Sequence, residues 1–317
     1  LLQPFGTDTL GYRCPLEWVA MIYNVRHRTT FQYQQAVSVS QHVLHLMPRD
    51  STRQRRLEFD LDCDPEPTLI SLSADYFGNW RHHLAFEQSH DELVIESRSK
   101  VEVAEEPALG SATIPAWEDV AALSQLHQIA PDVAQYCFDS PYVPAESEAF
   151  EYAVSSFPPG RPIVEAVTEL TSRIFQDFEY RPGVSDVSTP VLEVMATRSG
   201  VCQDFAHLEI ACLRSLGLPA RYVSGYLLTH PPEGQTKLVG SDASHAWLSV
   251  WCGEAGWLDF DPTNDIMPQS EHVTVGWGRD YGDVSPVNGF IIGGGSHQVV
   301  VAVDVTPVEA EIAAVAG

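Results

Sequence analysis

The run Thr197-Arg-Ser-Gly-Val-Cys-Gln-Asp-Phe-Ala-His207 sets a cysteine directly before a helical pattern. Phe205, Leu208, Cys212, Leu213 and Leu216 recur at spacings of three and four, the period of an amphipathic helix. Gly217 supplies the stop and Pro219 reinforces it. Cys202 therefore falls in the first turn, where unpaired backbone N–H groups and the helix dipole favour negative charge. A thiol at such a position ionises more readily, and the thiolate is the nucleophile. The competing reading is a buried core cysteine, since free Cys is among the most buried residue types. The downstream sequence decides between them.

Ala243-Ser-His-Ala-Trp-Leu-Ser-Val-Trp251 alternates, with His245, Trp247, Ser249 and Trp251 on one face of a strand and Ala246, Leu248 and Val250 on the other. Cys252-Gly-Glu-Ala-Gly256 is a loop of hairpin length, followed by a short strand, Trp257-Leu-Asp-Phe-Asp261, that Pro262 stops. If Trp251 faces Trp257, Asp261 faces Trp247, on the same side as His245 and diagonal to it. Asp259 then falls opposite Ser249, one step farther away. A loop one residue shorter would turn both aspartates to the other side of the sheet. With the odd-numbered loop, a cysteine at a helix start and a His–Asp pair on a hairpin are all available. That is the nucleophile, base and orienter of a thiol hydrolase or acyl transferase.

These motifs also carry a family resemblance. Gly200-Val-Cys-Gln-Asp-Phe-Ala206, Leu216-Gly-Leu-Pro-Ala-Arg-Tyr-Val-Ser-Gly-Tyr226, Ser244-His-Ala-Trp247 and Trp257-Leu-Asp-Phe-Asp-Pro-Thr-Asn264 resemble the core of bacterial transglutaminase-like proteins, commonly described as candidate cysteine proteases. Tyr23-Asn-Val-Arg-His-Arg-Thr-Thr-Phe-Gln-Tyr33, Leu46-Met-Pro-Arg49 and Asp75-Tyr-Phe-Gly-Asn79 look like the β-domain preceding that core, and Gly278 to Gly289 like the segment following it. The resemblance implies a papain-like core with Cys202 as nucleophile, His245 as base and Asp261 as orienter. It implies no cofactor. Whether the acyl group passes to water or to an amine stays open.

The elements that must position these residues follow from the rest of the chain. Its length, 317 residues, predicts about two domains. Residues 1–20 read as an extension that adds little, the family-like pattern beginning at Met21. Residues 21–105 read as an all-β, sandwich-like domain, with Tyr23, Val25, His27, Thr29, Phe31 and Tyr33 alternating first. Its histidines show neither a helical i,i+4 pair nor a Cys/His ligand spacing, so no metal is expected there. Residues 106–160 shift to Ala, Pro, Glu and Ser but keep Trp117, Tyr136, Phe138 and Tyr142, which marks a packed connector with short helices. Residues 161–317 hold the core: a helix with the stripe Ile163, Ala166, Val167, Leu170, Ile174 and Phe178, then the site, then closing strands that include 298–305. The fold class is α+β, with helices packed on an antiparallel sheet.

Within that core Tyr180 and Trp247 are the candidate substrate-binding residues, each with a packing role as the alternative. The Cys202 backbone N–H is the expected oxyanion donor, and Asp204 is read as a first-turn carboxylate. The glycine-containing segments 276–281 and 291–296 are read as loops. They are weak evidence for nucleotides, because neither run lies between a strand and a helix.

Composition excludes other functions. With 43 acidic and 18 basic residues, the formal charge is −25, which disfavours nucleic acid and anionic membranes as partners. No apolar run is long enough to span a bilayer. Six scattered cysteines without paired spacing favour reduced thiols and a cytoplasmic location. The partner expected is a peptide or protein substrate, and the leading reaction is hydrolysis by a peptidase or amidase. Protein-glutamine crosslinking is the alternative within enzymes. A peptide-binding module of the same fold is the alternative outside them, disfavoured because it has no chemical need for Cys, His and Asp together.

Overall fold

Strand β1 (Ala20–Leu44) is the spine of the first half of the chain. Its residues alternate between buried and outward positions through Tyr23, Val25, His27 and Thr29, as a half-buried strand requires. A computed structural model describes residues 20–105, 114–125, 129–229 and 244–308. β1 is followed by β2 (Gln54–Asp64), β3 (Leu69–Ala74), β4 (Trp80–Phe86) and β5 (His90–Ala104). They form one antiparallel sheet in the order β2-β5-β1-β4-β3. β1 changes partner part-way: Ala20–Gln32 pairs with β5, while Ser40–Leu44 pairs with β4, after a register shift between Gln32 and Val37.

The connector folds into α1 (Trp117–Gln125), α2 (Pro131–Ala134) and α3 (Ser147–Ala153). Next come α4 (Ile163–Asp177), β6 (Glu179–Tyr180), α5 (Val191–Thr197), β7 (Ser199–Gly200) and α6 (Cys202–Ser215). The stripe predicted for α4 is buried from Ile163 to Ile174. Thr189, whose position suits an N-cap of α5, instead accepts the Asp186 N–H at 2.9 Å. Beyond α6, β8 (Ala220–Leu227), β9 (Ser244–Trp251), β10 (Trp257–Phe260) and β11 (His272–Gly278) make a second antiparallel sheet, ordered β10-β9-β8-β11. Every residue of α6 from Asp204 to Arg214 is buried, so it is a central helix and not a surface amphipath. Its packing partners include Ala246, Leu248, Val250, Leu258 and Phe260. Among the described residues no helix is long and apolar enough to cross a membrane.

Two placements differ from the sequence reading. After α7 (Tyr281–Val284), strands β12 (Val287–Gly293) and β13 (His297–Pro307) leave the core and pair with β1. β1 offers β13 an unpaired edge, and Val303 and Val305 bury themselves against Tyr23, Val25, Val101 and Val103. Of the glycine segments read as loops, 276–278 lies in β11 and 291–293 in β12, while 294–296 does connect strands as a loop. Gly276 sits at a register shift where a Cβ would come within 2.8 Å of Asn79 Oδ1. Residues 1–19 and the loop 230–243 lie outside the described residues.

The two sheets are joined at β11, an edge strand. Gln54 donates from Nε2 to Thr274 O (2.7 Å) and accepts from Thr274 N–H (2.8 Å). Asn79 repeats the pattern on Trp277, at 2.8 Å and 3.0 Å. The amide side chains thus occupy the positions a neighbouring strand would take. Elsewhere Arg214, near the end of α6, donates to Tyr136 O, Ser140 Oγ, Ala220 O and Arg279 O, tying the connector to the core.

Glu209, in the middle of α6, is fully buried, with Oε1 accepting from Thr171 Oγ1 at 2.7 Å and Oε2 unpartnered. Burial pushes its carboxyl up to about 8. A raised pKa means the folded state holds a proton that the unfolded chain releases. The stabilisation is therefore full below the ordinary carboxyl value of about 4.3 and is lost as pH rises through about 8. The thermal midpoint is expected to fall across that window, and Glu209→Gln to flatten much of the decline. An unchanged slope in that variant would show that other groups carry it.

Candidate active site

Cys202 is the first residue of α6, partly exposed. Two features aim it. Asp204 accepts the Val201 N–H at 2.8 Å and the Ser185 hydroxyl at 2.5 Å, satisfying an otherwise free donor at the helix start. Gly200 leaves room for that carboxylate, since a Cβ there would lie 2.8 Å from it. The structural part expected of Asp204 is thus visible in its bonds. Upstream, β6 pairs with β7 in parallel, and Arg181 N–H donates to Gly200 O at 2.9 Å. This short bridge brings Tyr180 beside the cysteine.

The hairpin carries the partners. Trp257 faces Trp251 and Asp259 faces Ser249, the register expected from the odd-numbered loop. His245 Nε2 lies 2.7 Å from Asp261 Oδ2. Asp261 is fully buried and ionised, so it can only accept; it receives Thr263 N–H on Oδ1 (2.9 Å) and Asn264 Nδ2 on Oδ2 (2.7 Å). These bonds and the neighbouring histidines outweigh the cost of burial and hold its carboxyl well below the usual range. On His245 burial acts downward, but hydrogen bonds to Asp261 and to Cys202, with their charges, push it up to about 10. His245 is thus hydrogen-bonded to Asp261, with Cys202 near enough to bear on its charge.

The other expected site residues fall differently. Tyr180 is half exposed, its ring edge-on to Phe205 at 6.5 Å. Burial and then the nearby Cys202 charge raise its phenol. Trp247 is fully buried, stacked on His245 at 6.0 Å with its indole N–H donating to Asp259 at 3.1 Å. It offers no surface to a substrate and instead backs the histidine. Burial pushes the thiols of Cys63 and Cys252 up to about 12 and raises those of Cys212 and Cys137. The described cysteines are all free.

Sequence reasoning missed two neighbours. Tyr222 on β8 is buried, its phenol raised first by burial and then by the Cys202 charge. His272 on β11 places Nε2 3.1 Å from Asp261 Oδ2. The ligating atoms of His245, Asp261 and His272 lie within 4.8 Å of one another, the group among the described residues best disposed to hold a cation. Two ligands of a tetrahedral zinc at about 2.0–2.1 Å stand roughly 3.3 Å apart. The separations of 2.7 Å and 3.1 Å are those of hydrogen bonds.

Comparison with known proteins identifies the family. Residues 23–102 match the model of the bacterial transglutaminase-like N-terminal region, and residues 154–262 that of the transglutaminase-like superfamily core. An uncharacterised protein of Mycobacterium tuberculosis is 42% identical over 298 residues, covering 91% of this chain and 94% of its own. A protein-glutamine gamma-glutamyltransferase of Pseudomonas aeruginosa is 33% identical over 108 residues, which span 32% of this chain and 16% of that one. A crystal structure from Cytophaga hutchinsonii, described as a candidate cysteine protease, superposes with a TM-score of 0.74 at 21% identity over 92% of both chains; at that identity the likeness is one of fold. With an N-terminal region and a core that each match, the chain belongs to the transglutaminase-like superfamily, in its bacterial form.

Proposed function

We propose that the protein is a cysteine peptidase or amidase: it transfers acyl groups from peptide or amide carbonyls to Cys202 and then to water. The observation that carries this reading is His245 hydrogen-bonded to the buried carboxylate of Asp261, with Cys202 at the start of α6 among the groups that raise its pKa. His245 takes the thiol proton, and the thiolate attacks the carbonyl carbon. The Cys202 backbone N–H, in the first turn of α6, donates to the oxyanion. His245 returns its proton to the leaving nitrogen as the C–N bond breaks, giving a thioester. Water, deprotonated by His245, then releases the acid and regenerates the thiol. Asp261 holds the imidazole tautomer throughout. Tyr180, beside the thiol and half exposed, lines the acyl pocket.

Crosslinking of protein glutamine is the second reading, supported by the transferase name of the Pseudomonas aeruginosa relative. It differs only in the acceptor, an amine in place of water. Two measurements test the proposal. Iodoacetamide is expected to alkylate Cys202 ahead of Cys63, Cys137, Cys212 and Cys252, whose thiols burial raises; mass spectrometry locates the adduct. Uniform, slow labelling of all of them would remove the activated nucleophile from the argument. A fluorescent primary amine added with a glutamine-containing protein should leave that protein unlabelled. Incorporation of the amine would move the assignment to the transferase.

A further inference from the structure

We propose that His272 is a positioning residue of this site, fixing Asp261 for His245 from a strand that the N-terminal region holds in place. The proposal rests on the acyl-transfer reading above. His272 is buried, and its Nε2 lies 3.1 Å from Asp261 Oδ2, the oxygen that also meets His245. Because the carboxylate is ionised, the proton between them sits on His272 Nε2, and His272 donates. With Thr263 N–H on Oδ1 and Asn264 Nδ2 on Oδ2, the carboxylate cannot turn about its Cβ–Cγ bond without losing a buried hydrogen bond. His272 therefore holds the plane in which His245 must lie.

The surroundings are arranged for this reach. β8 and β9 lie between β11 and β10, the strand that leads into Asp261, so His272 and Asp261 have to reach toward each other across the sheet. His272 does so near Gly225, where a Cβ would come within 2.1 Å of Val273 O and 2.6 Å of the Trp247 ring. The same absence lets Trp247 stand edge-on to His272, with ring centroids 5.1 Å apart. β11 is in turn held by Gln54 and Asn79 of the first sheet. On its far side His272 lines a cavity of about 540 Å³ between the two sheets, together with Arg221, Asp259 and Trp277. Its Nδ1 is buried without a hydrogen-bond partner. A residue present only for packing has no use for that nitrogen or for a donor aimed at the shared oxygen.

The test uses the full chain and p-nitrophenyl acetate, following acylation of Cys202 against the Cys202→Ala background. His272→Leu fills the space without a donor, and His272→Gln fills it with an amide N–H. The leucine variant is expected to acylate about 10- to 100-fold more slowly, the usual loss when a partner orienting a functional group is removed. The glutamine variant should recover most of that loss. In His272→Ala the vacated space adjoins the cavity, so millimolar imidazole is expected to restore the rate several-fold. Leucine and glutamine variants that acylate alike, whether both fast or both slow, overturn the proposal. So does an alanine variant that folds, is slow and ignores imidazole; if it does not fold, the leucine–glutamine pair decides. A wild-type protein that acylates no faster than Cys202→Ala sinks the acyl-transfer reading itself and this proposal with it.

Discussion

Cys202→Ala is expected to lower the acyl-transfer rate by on the order of a million-fold, the loss that follows removal of a nucleophile from a working triad. No other described thiol can take over. Cys212 and Cys252 are buried, and burial raises the thiols of Cys63, Cys137, Cys212 and Cys252, which suppresses the thiolate. The fold should be almost untouched, because Cys202 is partly exposed and the helix start is satisfied by Asp204 rather than by sulfur. His245 should respond as well. The Cys202 hydrogen bond and charge are among the causes that hold it up at about 10, so its pKa should fall in the variant while Asp261 still supports it. The measurement pairs single-turnover acylation by p-nitrophenyl acetate with a thermal melt. A folded variant that keeps its activity within tenfold of wild type would end the assignment of Cys202 as nucleophile.

How far the site could be read without coordinates depended on sequence distance. Cys202 at the head of α6 was legible because helix period, Gly217 and Pro219 act within one element. The His245–Asp261 pair was legible because a hairpin register depends on a short loop, and Trp251 does face Trp257. His272 was not. Its partner Asp261 is eleven residues away in sequence, His272 itself lies on a strand whose neighbour is β8, and no local periodicity encodes that pairing. Gln54 and Asn79, about 200 residues from the backbone groups they satisfy, leave no local pattern either. Alternation at 298–305 was enough to predict a strand but not its partner, which proved to be β1. For Trp247 alternation identified the face but not the depth, and depth decides between touching substrate and backing His245. The exposed Leu69, Ile70 and Leu72 show the same limit, an apolar strand at a sheet edge with an unburied face.

Asp261→Asn is expected to cost about 10,000-fold in acyl transfer, the magnitude seen when the carboxylate of such a triad becomes an amide. The change is nearly isosteric, so the cause is polarity. Every group around Asp261 donates: His245, His272, Asn264 and the Thr263 N–H. An asparagine has one acceptor oxygen and one NH2, so at least one of these donors must face another donor inside the protein, or the His245 imidazole must change tautomer. Either outcome takes the proton-accepting nitrogen away from Cys202. The pH dependence follows by sign. His245 is raised to about 10, so its share of stability is full below the ordinary histidine value of about 6.5 and is lost as pH rises through about 10. Asp261 is lowered, so its share is present above the ordinary carboxylate value of about 3.9 and is lost as pH falls. The interaction between them is therefore full between roughly pH 4 and pH 6.5 and declines from there toward about pH 10, and below pH 4. Without the carboxylate, burial acts on His245 with less opposition, its pKa drops, and the imidazolium that supports the thiolate is lost near neutral pH. The thermal midpoint of Asp261→Asn should thus lie furthest below wild type between about pH 4 and pH 6.5, and the gap should narrow as pH rises toward about 10 and as it falls below 4. A gap that stays constant with pH would mean that packing, not the charge on Asp261, is what the substitution removes.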